Sequence, residues 1–218
     1  MDKKINSVAF DQNQTAVIEE VVSSPSFQHT DWNKVELSSE LQRLRSHIRS
    51  HYRKEQKARC AYCGKDLSVQ SAANCHVEHI APKSLYKEYM FLPQNLCLAC
   101  ADCNEIKGDI DTIKPLPKGK KRKRYPRASS QFKIIHPHFD NYDDHINVFL
   151  GNYYIDNTEK GHFTIGICKL NQRLQAYGVY EPDEMMLLAA ELSRAKQEHN
   201  TVLVKFLRKK MIELCTEE

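Results

Sequence analysis

Two Cys-x-x-Cys pairs, Cys60/Cys63 and Cys100/Cys103, put four thiols into the chain as paired knuckles. Four thiolates are the ligand set of a closed, tetrahedral structural zinc. The 36 residues between the pairs are no obstacle, because each doubling of a loop costs only about 0.6 kcal/mol. They read as a site inserted between two halves of a zinc clasp. A redox Cys-x-x-Cys would need no second copy. Cys75, Cys97, Cys168 and Cys215 stand outside the pattern and read as small buried hydrophobes.

Inside the gap lie His76-Val77-Glu78-His79-Ile80-Ala81-Pro82 and Asn95-Leu96; Asn104 and Lys107-Gly108-Asp109 follow the last cysteine. Glu78 and the amide oxygen of Asn104 are hard ligands that suit Mg²⁺ or Mn²⁺ and match zinc poorly, so a second, different ion is implied. A histidine such as His79, ordinarily titrating near 6.5, can take a proton from water at neutral pH, as a general base in phosphodiester hydrolysis must. On a strand, His76 and Glu78 share one face and Val77 and His79 the other. A strand stopped by Pro82 can splay Glu78 and His79 toward one cavity.

Holding these groups requires two short strands, Asn74 to Ile80 and Asn95 to Leu98, and a helix beginning near Cys100. Upstream, Leu41, Leu44, Ile48 and Tyr52 fall at i, i+3, i+7 and i+11, which predicts an amphipathic helix over Ser38 to Gln56 with a Ser cap. Its Arg43, Arg45, Arg49, Arg53 and Lys54 read as the water-facing side. Residues 1–34 offer a short helix around Thr15 to Val22 and no recognisable chemistry. Phe132 to Ile135, Ile146 to Leu150, Tyr153 to Ile155 and Phe163 to Ile167 read as strands, and Pro182 opens a helical region to about Leu214 that is interrupted near Asn200. His136, His138, Asp140, Asp144 and His145 have metal-capable chemistry but read as turn and hydrogen-bonding residues.

The fold class is therefore α+β. It divides into an N-terminal arm and amphipathic helix (1–57), a zinc-stapled core (58–113), a basic linker (114–131) and a C-terminal β and helical region (132–218).

With 41% hydrophobic and 28% charged residues among 218, the chain has a core's worth of apolar material and no membrane character. Its longest apolar stretches, such as Met185 to Ala190, fall far short of the roughly 18 residues of a spanning helix. No secretory signal opens the chain, so a reducing, cytoplasmic setting is expected, in which clustered cysteines favour metal over disulfides. The net charge of +4 conceals an uneven distribution. Lys114 to Phe139 carries nine Lys or Arg and no acid, leaving the remainder at −5 (23 basic against 28 acidic). Such clustering suits a phosphate backbone, through Lys120, Lys121, Arg122, Lys123 and Arg124, and is equally what a solvated loop would show.

His-Val-Glu-His-Ile-x-Pro, then Asn-Leu-x-Leu-x-Cys-x-x-Cys-Asn-x-x-Lys-Gly-Asp, resembles the HNH endonuclease family of ββα-metal nucleases in its form stapled by two Cys-x-x-Cys knuckles, over about residues 58–111. The resemblance implies His79 as general base, Glu78 and Asn104 as ligands of the catalytic ion, and His76 as an auxiliary ligand. It further implies Asn95 as the brace of the loop that orients His79, and Lys107 as a phosphate contact. The products would be a 5′-phosphate and a 3′-hydroxyl. Two positions depart from the family pattern: Asn104 replaces the last histidine, and Glu78 stands where an Asp is usual. Arg-Ser-His-Tyr-Arg-x-Glu-Gln before the first knuckle and His136-Pro-x-Phe-Asp140 are similar to the HNH subunit of Septu-type and retron-linked antiphage systems, which implies an ATPase partner. The expected substrate is DNA or RNA. A non-catalytic zinc-stapled binding module or scaffold subunit is the competing reading; it shares the lysines and arginines but has no need of Glu78, His79 and Asn104 around one ion.

Overall fold

The computed structural model describes residues 4–119, 122–149, 152–172 and 184–216. Lys120, Lys121 and Pro182, all singled out above, lie outside them. Helix α1 (Gln12–Val22) opens with a reciprocal cap: Asp11 accepts from the Gln14 amide at 2.8 Å, and the Gln14 side chain accepts from the Asp11 amide at 3.1 Å. Helix α2 (Ser38–Glu55) buries Leu41, Leu44, Ile48 and Tyr52, the stripe its periodicity predicts. No serine caps it; Leu37 occupies the cap position, and a short 3₁₀ turn leads straight into the helix.

The arginines of α2 do more than face water. Arg45 donates to the Trp32 carbonyl at 2.6 Å, Arg49 to Cys75 at 2.9 Å, and Arg53 to Ser68 and Ser71 at 3.0 and 2.7 Å. Two segments, the turn at Trp32 and the loop of residues 68–75 that leads into the first strand, are thereby tied to one helix. Gln56 completes the frame by exchanging hydrogen bonds with the backbone of Leu98 at 2.7 and 2.9 Å.

Strands β1 (His76–His79) and β2 (Leu96–Ala99) pair antiparallel, with Glu78 opposite Cys97 and His79 opposite Leu96. Helix α3 (Ala101–Lys107) follows at once, capped by the Cys100 sulfur, which accepts from the Cys103 amide at 3.4 Å. Gly108, at φ +49°, ends it in a conformation that costs glycine little. Two strands and a helix stand on the buried side chains of α2, which belong to the same apolar core as Leu96, Leu98 and the four cysteines.

A second antiparallel pair, β3 (Ile146–Phe149) and β4 (Tyr153–Asp156), precedes α4 (Glu159–Ile167), α5 (Glu184–Gln197) and α6 (Thr201–Thr216). The interruption foreseen near Asn200 is present, with His199 at φ +54° and Asn200 Oδ1 accepting from the Leu203 amide at 3.1 Å. Two expected strands are not strands. Phe163 to Ile167 lies in α4, nucleated by Thr158, whose hydroxyl accepts from the Gly161 amide at 3.2 Å. The β-branched residues there yield to packing, since Phe163, Ile165 and Ile167 rest on the core that includes the cysteine knuckles. Phe132 to Ile135 makes only an isolated bridge, Ile113 to Phe132. The basic segment expected as a linker is anchored at its described end, where Tyr125 and Pro126 are buried.

Candidate active site

The four knuckle thiols converge, with all four sulfurs within 4.8 Å of one another and every cysteine buried. Backbone amides point at the sulfurs: Cys100 N–H donates to Cys60 Sγ at 3.3 Å and Cys103 N–H to Cys100 Sγ at 3.4 Å. Hydrogen bonds from the neighbouring thiols, Cys103 first, hold Cys100 far below the usual thiol range. A buried, amide-supported S₄ set fits zinc in donor type and number. Among the described residues it is the one cluster of His, Cys, Asp or Glu able to hold an ion with three or more such ligands. Cys75, Cys97 and Cys168 are fully buried as expected, and Cys215 is partly so.

Beside the clasp, a cleft of about 280 Å³ is lined by His76, Glu78, His79, Asn104 and Lys107. Larger cavities lie elsewhere, against β4 and beside the first knuckle, but they gather none of these groups. His79 is buried, and its Nε2 lies 3.0 Å from the Met90 carbonyl. A carbonyl only accepts, so Nε2 carries the proton and the lone pair of the neutral ring sits on Nδ1. Burial, reinforced by the charge of Lys83, pushes His79 down to about 3, so the ring stays neutral at physiological pH. A phosphodiester beside it would pull that value back up.

Asn95 is completely buried behind this histidine. Its Oδ1 accepts from Ala81 N–H at 2.7 Å, and its Nδ2 donates to the carbonyls of Ala81 and Tyr89 at 3.0 and 3.1 Å. It therefore ties the backbone two residues after His79 to the residue next to Met90, whose carbonyl fixes the tautomer.

Glu78 and Lys107 form a buried ion pair at 2.6 Å, and Lys107 also donates to the His79 carbonyl at 3.1 Å. Burial pushes the Glu78 carboxyl up, and Lys107 only partly offsets this. Lys107, 1% exposed, is thus placed as the counter-charge of Glu78, and a direct phosphate contact is not what its burial provides. Tyr62, from the first knuckle, donates to the same Oε1 at 3.4 Å. Oε2 remains as the carboxylate oxygen open to an ion.

His76 is also placed differently from the auxiliary ligand expected. Its Nε2 donates to the Ala73 carbonyl at 2.9 Å, so its Nδ1 accepts from Asn104 Nδ2 at 3.2 Å. Both ring nitrogens are engaged, and the effect is to orient Asn104 so that Oδ1 is its free atom. A carboxylate oxygen and an amide oxygen, with water and phosphate to complete the shell, fit Mg²⁺ or Mn²⁺ by donor chemistry.

Trp32 lines the same cleft, edge-on to His79 at 4.6 Å between ring centroids. Nothing in residues 1–34 advertised this; the signal was that Trp32 is the only tryptophan in the chain. Lys83, half-buried at the cleft, was likewise passed over as the residue after Pro82. Arg122, Lys123 and Arg124 are described, with Arg122 donating to the Lys114 carbonyl at 3.2 Å and Lys123 and Arg124 exposed. The His136 to His145 cluster is held by protein partners: Asp140 pairs with Lys160 at 2.6 Å, and His138 bonds the Leu96 carbonyl at 2.9 Å.

No helix among the described residues is long and apolar enough to cross a membrane. No curated protein and no solved structure matches the chain. Residues 60–109, which contain both knuckles, β1, β2 and α3, match the model of the HNH endonuclease family.

Proposed function

We propose that this protein is a metal-dependent endonuclease that hydrolyses phosphodiester bonds of nucleic acid. The observation that carries the reading is the fixed tautomer of His79: the Met90 carbonyl accepts a hydrogen bond from Nε2–H and leaves the Nδ1 lone pair as a base in a cleft shared with Glu78 and Asn104. Water attacks phosphorus, its proton passes to His79 Nδ1, and the bond from phosphorus to O3′ breaks; the departing O3′ takes a proton from solvent water, leaving a 5′-phosphate and a 3′-hydroxyl. A hard divalent ion, when held by Glu78 and Asn104, supplies charge for the phosphoryl oxygens and the departing oxygen. Asn95 keeps His79 in place, Trp32 covers one edge of its ring, and Lys83 offers the substrate a cation at the cleft.

Zinc in the Cys60, Cys63, Cys100 and Cys103 set has a structural role, fixing α3 and hence Asn104 against β1. The exposed part of the basic segment, with Lys120 and Lys121, holds phosphates away from the cut. The finer proposal, an effector nuclease of an antiphage complex with an ATPase partner, is supported by the sequence resemblance alone. Of the two blocks that carry it, Tyr52, Gln56, His136 and Asp140 are buried and serve the fold.

The test is cleavage of plasmid DNA and of total tRNA by zinc-loaded protein in Mg²⁺, Mn²⁺ or chelator, beside His79→Ala. Cutting that needs the ion and falls by about 10²-fold or more in the variant, with binding retained, supports the enzyme. Equal cutting by both proteins, or binding without cutting in the presence of any partner, assigns the chain to the binding-module class.

A further inference from the structure

Behind Asn95 lies a chain of buried polar groups that the reaction above does not use. Backbone amides only donate, so the His138 amide, 3.3 Å from His136 Nδ1, fixes that nitrogen as an acceptor. The neutral His136 ring then carries its proton on Nε2 and donates to the Tyr125 hydroxyl oxygen at 2.8 Å. The Tyr125 hydroxyl is left to donate onward, and Asn95 Oδ1 lies 3.1 Å away, closer than the Gln94 carbonyl at 3.3 Å. His136 is fully buried, with Phe132 and Phe139 at 4.3 and 4.2 Å from its ring centroid. Burial holds it neutral, its basicity well below the ordinary histidine value. Every proton in the relay therefore has one direction.

We propose that His136 and Tyr125 are positioning residues for His79, acting through Asn95. The relay adds a second donor to Asn95 Oδ1 beside the Ala81 amide, and Asn95 in turn sets the spacing between Ala81 and Tyr89 on either side of the His79 to Met90 bond. Both relay residues lie beyond residue 109, outside the segment that matches the nuclease family. The site is thus completed from a part of the chain that brings no reacting group. Tyr125 also directly follows the Arg122 to Arg124 run, so chain that would meet phosphates is joined to the brace of the base. The proposal rests on His79 as the base.

The test compares wild type, Tyr125→Phe, His136→Leu and His136→Gln. Each is assayed for kcat and KM on one oligonucleotide, for thermal midpoint, and for the emission of Trp32, whose ring packs on His79. Tyr125→Phe keeps the ring in its aromatic cluster and removes only the hydroxyl, so it carries the test where His136→Leu fails to fold. The expected result is a kcat lower by about tenfold or more, since ångström-scale misplacement of a reacting group costs rate steeply. KM is unchanged, Trp32 emission shifts in the folded protein, and His136→Gln recovers part of the loss because its amide can donate to Tyr125. A kcat per folded molecule equal to wild type in Tyr125→Phe, with Trp32 emission unmoved, overturns the proposal. If wild type cuts neither polymer, the nuclease reading falls, and Trp32 emission alone decides the relay: a shift in Tyr125→Phe upholds it and no shift overturns it.

Discussion

Lys107→Met should destabilise this protein far more than the loss of one surface lysine could. In the folded chain Lys107 is 1% exposed and sits 2.6 Å from Glu78, itself 5% exposed, with only the Tyr62 hydroxyl as further support for that oxygen. Removing one partner of a buried pair strands the other charge and costs about 3–5 kcal/mol, a large share of the roughly 5–15 kcal/mol that holds a domain together. The double variant Lys107→Met/Glu78→Gln removes the stranded charge and should recover most of that loss. A divalent ion offers a second route to recovery, because it returns positive charge to Glu78. At a concentration about 100 times its dissociation constant an ion stabilises its site by about 2.7 kcal/mol, so Mg²⁺ or Mn²⁺ should rescue the single variant and leave the double variant nearly unmoved. Urea unfolding of the zinc-loaded proteins, with and without the ion, measures all four quantities. A loss under about 1 kcal/mol in Lys107→Met, or a double variant no better than the single, would refute the buried pair as the element that places Glu78.

Other outcomes follow from the same geometry. One zinc per chain should be measured in purified protein, and Cys100→Ser should unfold the clasp region as well as release the metal, because structural zinc sites contribute on the order of 10 kcal/mol. His136 is neutral in the folded state and takes a proton near 6.5 when unfolded, so stability present above that pH is lost as pH falls. Each unit below about 6.5 costs about 1.4 kcal/mol, His79 and His138 add in the same direction, and the gap between urea midpoints at pH 7.5 and 5.5 should narrow, without closing, in His136→Gln. Neutralising Lys120 to Arg124 should flatten the salt dependence of nucleic-acid binding by about 0.9 in logarithmic slope for each phosphate left without its cation; an unchanged slope assigns the segment to linking alone. Gly161→Ala would place a methyl 2.0 Å from the His145 carbonyl oxygen, and a thermal melt should show a loss of about 1–3 kcal/mol despite the better helix former.

The sequence was most legible where periodicity or ligand spacing is local. The i, i+3, i+7, i+11 stripe of α2, the two knuckles, the paired strands and the helix after Cys100 all stand where those patterns put them. His76, Glu78, His79, Asn104 and Lys107 do share one cleft. What single positions could not reveal is which side chains spend their hydrogen bonds on one another. His76 is occupied by its neighbour Ala73 and by Asn104, and Lys107 by Glu78; the partnerships with Asn104 and Glu78 exist only because β1 packs against α3. Long-range packing hid the rest: Trp32 reaches His79 from 47 positions away because Arg45 of α2 holds its carbonyl. Residues 163–167 carry strand propensity, yet a Thr cap and a glycine that lets the helix pass the His145 carbonyl override it.

Catalysis as proposed turns on a single cleft that holds an oxygen-ligated divalent ion beside the His79 base, apart from the thiolate-bound zinc. Mn²⁺ titration of the zinc-loaded protein, followed by electron paramagnetic resonance, reads that arrangement out. One Mn²⁺ site is expected in wild type, retained in His79→Ala and abolished in Glu78→Ala and in Asn104→Ala while zinc stays bound. No bound Mn²⁺ in wild type with substrate present, or equal binding after either ligand is removed, would contradict it.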